Sequence, residues 1–216
     1  MIYRKIIVTG ILLFLFALTG TVLVSFTFDQ TAERIRANER ATLLRNLHKI
    51  IPEQAHDNDL FKDSTLALNP TLLGNKNPVR IYRARKQGEP VAAILAVIAP
   101  DGYSGNIHLL VGINYKGNIT GVRVIKHRET PGLGDRIEEG KSGWVLSFNN
   151  RSLQDPPTKK WHVKKDGGYF DQFTGATITP RAIVKAVHNA LIYYKYNRDK
   201  IFETNKLDSI EPNNHD

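Results

Sequence analysis

There is not one cysteine in these 216 residues. Disulfide frameworks, thiolate-held iron–sulfur clusters, attached c-type haem and thiol nucleophiles are excluded together. The lack of thiols also suits a compartment outside the cytoplasm, where a stray cysteine would oxidise. Seven histidines are scattered without HxH or HxxxH pairing, so no metal site is expected. Internal repeats and low-complexity segments are missing, and Gly102-Tyr103-Ser104-Gly105 lacks the pattern of a phosphate loop. The net charge is +9, yet there is no long basic run: Lys and Arg are interleaved with acids. Nucleic acid is therefore not expected as a partner, and anionic lipid headgroups or an anionic cofactor explain the excess better.

What is present divides sharply. Ile6 to Phe28 gives 23 consecutive positions without a charge, rich in Leu, Ile, Val and Phe. At about 1.5 Å per residue that run covers a hydrocarbon core of roughly 30 Å. Arg4 and Lys5 precede it and should stay cytoplasmic by the positive-inside rule. A cleaved signal peptide is the alternative, but its apolar region is normally shorter, and no clear small-x-small site precedes Asp29. An uncleaved anchor is expected, with everything after Phe28 facing outward.

Gln30 to Ile51 reads as a helix, with Leu43, Leu44, Leu47, Ile50 and Ile51 on one face and Pro52 as its stop. Glu53 to Pro78 is polar and reads as a connecting region. Four strands follow: Val79 to Lys86, the apolar run Val91 to Ala99, the alternating Ile107 to Ile113, and a partner through Val122 and Val124. Tyr115-Lys116-Gly117-Asn118 has the chemistry of a hairpin turn. A short strand is expected around Trp161 and Val163, and a helix from Pro180 to about Tyr196 carries the apolar stripe Ile183, Val187, Leu191 and Tyr194. The fold class is α+β: a transmembrane helix, then a small domain with an antiparallel sheet and flanking helices.

The segment Asp171-Gln172-Phe173-Thr174-Gly175-Ala176-Thr177-Ile178-Thr179-Pro180 is a small-residue turn entering a helix. Thr179 suits the cap and Pro180 the first helical position. Thr177 then sits beside a helix N-terminus, where free amides and the macrodipole favour a phosphate. Its hydroxyl is a sensible attachment point, and Gly175 and Ala176 leave room for a bulky group. By geometry alone, a plain capped turn accounts for the same residues.

Asp171, Thr174, Gly175, Ala176 and Thr177 match Asp-x-x-Ser/Thr-Gly-Ala-Thr/Ser at every specified position. Here the chain resembles the FMN-binding domain family of the Rnf and Na⁺-translocating quinone reductase complexes. His127-Arg128-Glu129-Thr130-Pro131-Gly132-Leu133-Gly134 is similar to the Glu-Thr-Pro-Gly-Leu-Gly loop of that family. The resemblance spans the chain, including Tyr103-Ser104-Gly105. The short stalk favours the RnfG branch over the longer C-type members of the quinone reductase.

The resemblance implies FMN joined covalently to Thr177 through its phosphate, by a dedicated flavin transferase. Thr174 and Asp171 would be recognition or supporting residues, and Glu129, Thr130, Leu133 and Gly134 would line the flavin. No residue is expected to be catalytic in its own right: the implied role is electron transfer in a complex that couples it to ion movement. Expected partners are the other subunits, the transferase and membrane lipid. The expected place is the bacterial inner membrane, single-pass, with the domain on the periplasmic side. The expected boundaries are 1–28 for the cytoplasmic N-terminus and anchor, 29–78 for stalk and connection, 79–202 for the FMN-binding domain and 203–216 for a flexible tail. A stand-alone membrane-tethered flavin reductase, or a C-type component of a Na⁺-translocating quinone reductase, remains as an alternative.

Overall fold

The computed structural model describes residues 2–203, so of the expected tail 203–216 all but Glu203 lies outside the described residues. The chain divides into two compact units, 1–45 and 46–216. Helix α1 (Ile2–Ile50) runs without a break through the segments read as anchor and stalk. It is long and apolar enough to cross a membrane. Three of its threonines tie their hydroxyls back to the helix's own backbone in that stretch. Thr19, Thr21 and Thr27 each donate to the carbonyl four residues back, at 2.8 Å.

The second unit begins with the last residues of α1, where Leu47 and Ile50 are buried, as is Ile51 just beyond the helix. Pro52 follows and disfavours helix at the residue before it. Five strands make one antiparallel meander, in the order β1 (Ser64–Ala67), β2 (Val79–Lys86), β3 (Glu89–Ala99), β4 (Ile107–Asn114) and β5 (Ile119–Lys126). β1 lies inside the segment read as a connection. That segment is also held by Asn75, which is fully buried and donates to the carbonyls of Ala67 and Asn77 at 3.0 and 2.7 Å. On β4 and β5, Gly112 and Gly121 pair opposite one another, and Ile50 lies against both. A Cβ on Gly112 would fall 2.0 Å from Ile50 Cγ2, so only glycine admits the helix end there.

Helix α2 (Ile178–Phe202) packs across β3 and β4. Ile183, Ala186, Val187, Ala190, Leu191 and Tyr194 form its buried stripe, the period of an amphipathic helix. Its C-terminal end is tied to the sheet. Arg83 and Arg85 of β2 share the Asp63 carboxylate, and they donate to the carbonyls of Glu203 (2.9 Å) and Phe202 (2.8 Å). Those carbonyls have no intrahelical partner, and the guanidinium charge suits that end of the dipole.

The strand expected around Trp161 and Val163 is not formed. Val163 makes only an isolated bridge to Phe170. Trp161 is buried in an aromatic cluster instead, its ring centroid 5.1 Å from Phe170, which in turn stacks on Phe148 at 4.6 Å. Ring packing, not a hydrogen-bonded ladder, holds this segment.

Candidate cofactor site

Two turns build one cleft. Beyond β5, the carbonyl of Thr130 accepts the amides of Leu133 (3.2 Å), Gly134 (3.0 Å) and Asp135 (3.4 Å), with Gly132 in the left-handed region at φ 77°. The chain therefore folds back over three residues, and Leu133 is left outward and 44% exposed. The second turn spans Phe173 to Ala176, closed by the Ala176 amide on the Phe173 carbonyl at 3.1 Å. Gly175 takes φ 82° there, the third position of a type II turn. α2 starts directly after it.

Between the turns is a cavity of about 320 Å³. Glu129, Thr130, Leu133 and Gly134 line it from the first turn; Gly175, Ala176 and Thr177 line it from the second. Residues nearly fifty positions apart thus meet. Tyr103, Ile178 and Thr179 complete the wall, and sequence reasoning had not assigned them to the site. Tyr103 and Ile178 are 67% and 44% exposed, a signal visible only once the fold is known. Thr174 and Asp171 do not line the cavity. Thr174 is exposed, and the Asp171 carboxylate is 2.5 Å from Lys164 Nζ, while its carbonyl accepts Trp144 Nε1 at 2.7 Å.

The helix start corrects one expectation. Thr177, not Thr179, occupies the N-cap position, with φ −90° and ψ −22° and no side-chain cap hydrogen bond. Thr179 is buried one step inside α2, and its Oγ1 donates to Glu129 Oε2. Glu129 is 4% exposed, and its other oxygen accepts the Ser104 amide at 3.0 Å. A carboxylate is an acceptor with two oxygens, and here both tie the cleft's walls together: the 102–105 loop, the 129–134 turn and α2. Gly134 is required by the same junction. A Cβ there would stand 2.9 Å from Glu129 Cβ and 3.1 Å from Thr179 Oγ1.

Behind the first turn, His127 Nδ1 accepts the Glu129 amide at 3.0 Å, which leaves Nε2 as the protonated nitrogen facing Glu138 Oε1 at 2.9 Å. Lys141 Nζ bridges Asp135 and Glu138 at 2.8 and 2.9 Å. Those bonds hold both carboxyls below their usual range, Glu138 with added help from His127, and raise the Lys141 ammonium. On the other side, Arg181 grips both oxygens of Asp166 at 2.6 Å. No acidic residue lies in the first turn of α2.

Residues 102–192, which include every residue lining the cavity, match the FMN-binding domain family, and residues 1–50 match the RnfG N-terminal region. The G subunit of the ion-translocating oxidoreductase complex from Shewanella baltica is 51% identical over 92% of this chain and 94% of its own length. The chain belongs to the RnfG family. The corresponding proteins of Shewanella amazonensis and Pseudoalteromonas atlantica are 49% and 48% identical over 92% and 89% of this chain. They match over 93% and 90% of their own lengths, so the likeness to RnfG covers anchor, sheet and cleft together.

Proposed function

We propose that this chain is the electron-carrying RnfG component of an ion-translocating oxidoreductase complex, with FMN held covalently by Thr177 at the periplasmic face of the inner membrane. The observation that carries the attachment is the state of the Thr177 hydroxyl. It belongs to the N-cap residue of a 25-residue helix, lines the cavity, and caps nothing.

The residues present suit the group. The first amides of α2, at Ile178 and Thr179, have no intrahelical acceptor by the rule of helix ends, and Pro180 has no N–H. With no acid in that turn, the macrodipole and these amides favour a phosphate beside Thr177. Leu133, Ile178 and Tyr103 leave apolar surface at the cleft, as a planar ring would need for cover. FMN supplies reversible electron uptake and release. The chain's own residues hold it. Thr177 would hold it through a phosphate ester, its Oγ1 replacing one phosphate hydroxyl and its own proton leaving with that hydroxyl as water, so the chain would gain one FMN less one water. The Glu129–Thr179 tie sets the cleft's width, and the Thr130 turn presents backbone to the cleft, where it would flank a bound ring. Thr174 and Asp171, lying off the cavity on exposed surface, are placed for recognition by the transferase.

In the complex, electrons pass through this protein between its neighbours, with α1 as the membrane anchor. Arg4 and Lys5 orient it with the domain outside. The test is a denaturing gel of the chain coexpressed with a flavin transferase. A fluorescent band that co-purifies before denaturation with integral membrane subunits is expected. A colourless chain from a host with working transferase would sink the proposal.

A further inference from the structure

A second and larger cavity, of about 580 Å³, opens between the β4–β5 turn and the C-terminal half of α2. It shares no lining residue with the cleft at Thr177. Tyr194 lies 17 residues along α2 from Thr177, about 25 Å at the helical rise. The two are separate sites.

Three features of its wall point the same way. Lys116, Lys195 and Arg198 line it, and among the described residues no Asp or Glu does. Arg198 is paired with Asp199 at 3.1 Å, while Lys116 and Lys195 have no carboxylate partner among the described residues. Leu153, Leu191 and Ile192 supply apolar surface. The third feature is Tyr194, which is 2% exposed and whose hydroxyl has no hydrogen-bond partner among the described residues. Tyr194 lines the cavity beside Arg198 and Tyr115. Burial pushes the phenol far above its ordinary range, so it stays an O–H donor. A buried donor left unpaired is costly, and native folds rarely keep one without a use. His188 repeats the pattern: its ring stacks on Trp161 at 5.3 Å, and its Nε2 is also unpartnered.

We propose that this cavity binds a small organic anion with an apolar body, its charge among Lys116, Lys195 and Arg198 and its acceptor oxygen on the Tyr194 hydroxyl. A neutral apolar molecule would leave Lys116 and Lys195 without a counter-charge, and a bare inorganic anion would leave the apolar wall in water. The site is independent of the flavin at Thr177.

The test uses the full chain in nanodiscs of zwitterionic phospholipid. Fluorine NMR follows titration with para-trifluoromethylbenzoate, and with the corresponding amide as its uncharged counterpart. Saturable binding of the acid, with little or none of the amide, is the expected result. Tyr194→Phe keeps the ring and removes the donor. It should weaken binding about tenfold, the loss of one hydrogen bond to a charged group. Lys116→Gln is a surface change with no risk to the core and should also weaken binding, by a factor that shrinks with added salt. Equal affinity for acid and amide, or acid binding unchanged in both variants, would overturn the proposal.

Discussion

Replacing Thr179 by Val changes one atom of consequence. Valine keeps the shape and the β-branch, so no cavity forms, but Glu129 Oε2 loses its donor. Thr179 is 1% and Glu129 4% exposed, so water does not replace the bond. Leaving a buried acceptor unpaired costs about 1–3 kcal/mol. In a domain of this size each kcal/mol moves Tm by about 2–4 °C, so a fall of about 4–8 °C is expected for a loss near 2 kcal/mol. Thr177→Ala is the contrast. Losing an N-cap residue ordinarily costs about 1 kcal/mol through the lost cap bond, and Thr177 makes none, so its Tm should fall by less than about 2 °C. Thermal unfolding followed by circular dichroism, on both variants in the same detergent, reads the difference. If Thr177→Ala proves the more destabilising, or Thr179→Val melts with wild type, the Glu129 tie does not hold the cleft as described.

The two glycines of the first turn should separate by mechanism. Gly134→Ala forces a methyl against Glu129 and Thr179 and should cost about 1–3 kcal/mol, with a disturbed flavin absorption band. Gly132→Ala meets nothing within 4 Å and carries only the left-handed backbone cost of about 1 kcal/mol; equal melting of the two would contradict this. A third expectation concerns pH. Because Lys141 depresses the carboxyls of Asp135 and Glu138, its contribution is present above the ordinary carboxylate range and fades as pH falls through their lowered folded values. The Tm gap between wild type and Lys141→Gln should therefore be widest near pH 7 and close below about pH 4, and a gap constant over that range would refute the assignment.

Strands β2 to β5 were legible because each carries a period or a continuous apolar run long enough to read, and Gly117 marks the turn of the last hairpin. β1 was not. Its four residues form an edge strand, and only Ala67 is buried, which leaves no alternation to find. The stretch at Trp161 and Val163 misled for the opposite reason: its apolar residues are buried by rings from Phe148 and Phe170, and composition does not distinguish that from a strand. At the site, the two segments were each readable from their residues, but their meeting is a product of the fold. The cap position at the helix start was read two residues late, at Thr179 instead of Thr177, for a physical reason. Both hydroxyls suit a cap, and the choice depends on a buried carboxylate fifty residues earlier, at Glu129, which claims Thr179 and leaves Thr177 facing the cavity.

Intact mass of the native chain and of Thr177→Ala, both made in a host with an active flavin transferase, tests the central claim most directly. The native chain should be heavier than its sequence by one FMN less one water, and Thr177→Ala should show the sequence mass alone. A Thr177→Ala chain that still carries the flavin mass, or a native chain that lacks it, would contradict the account.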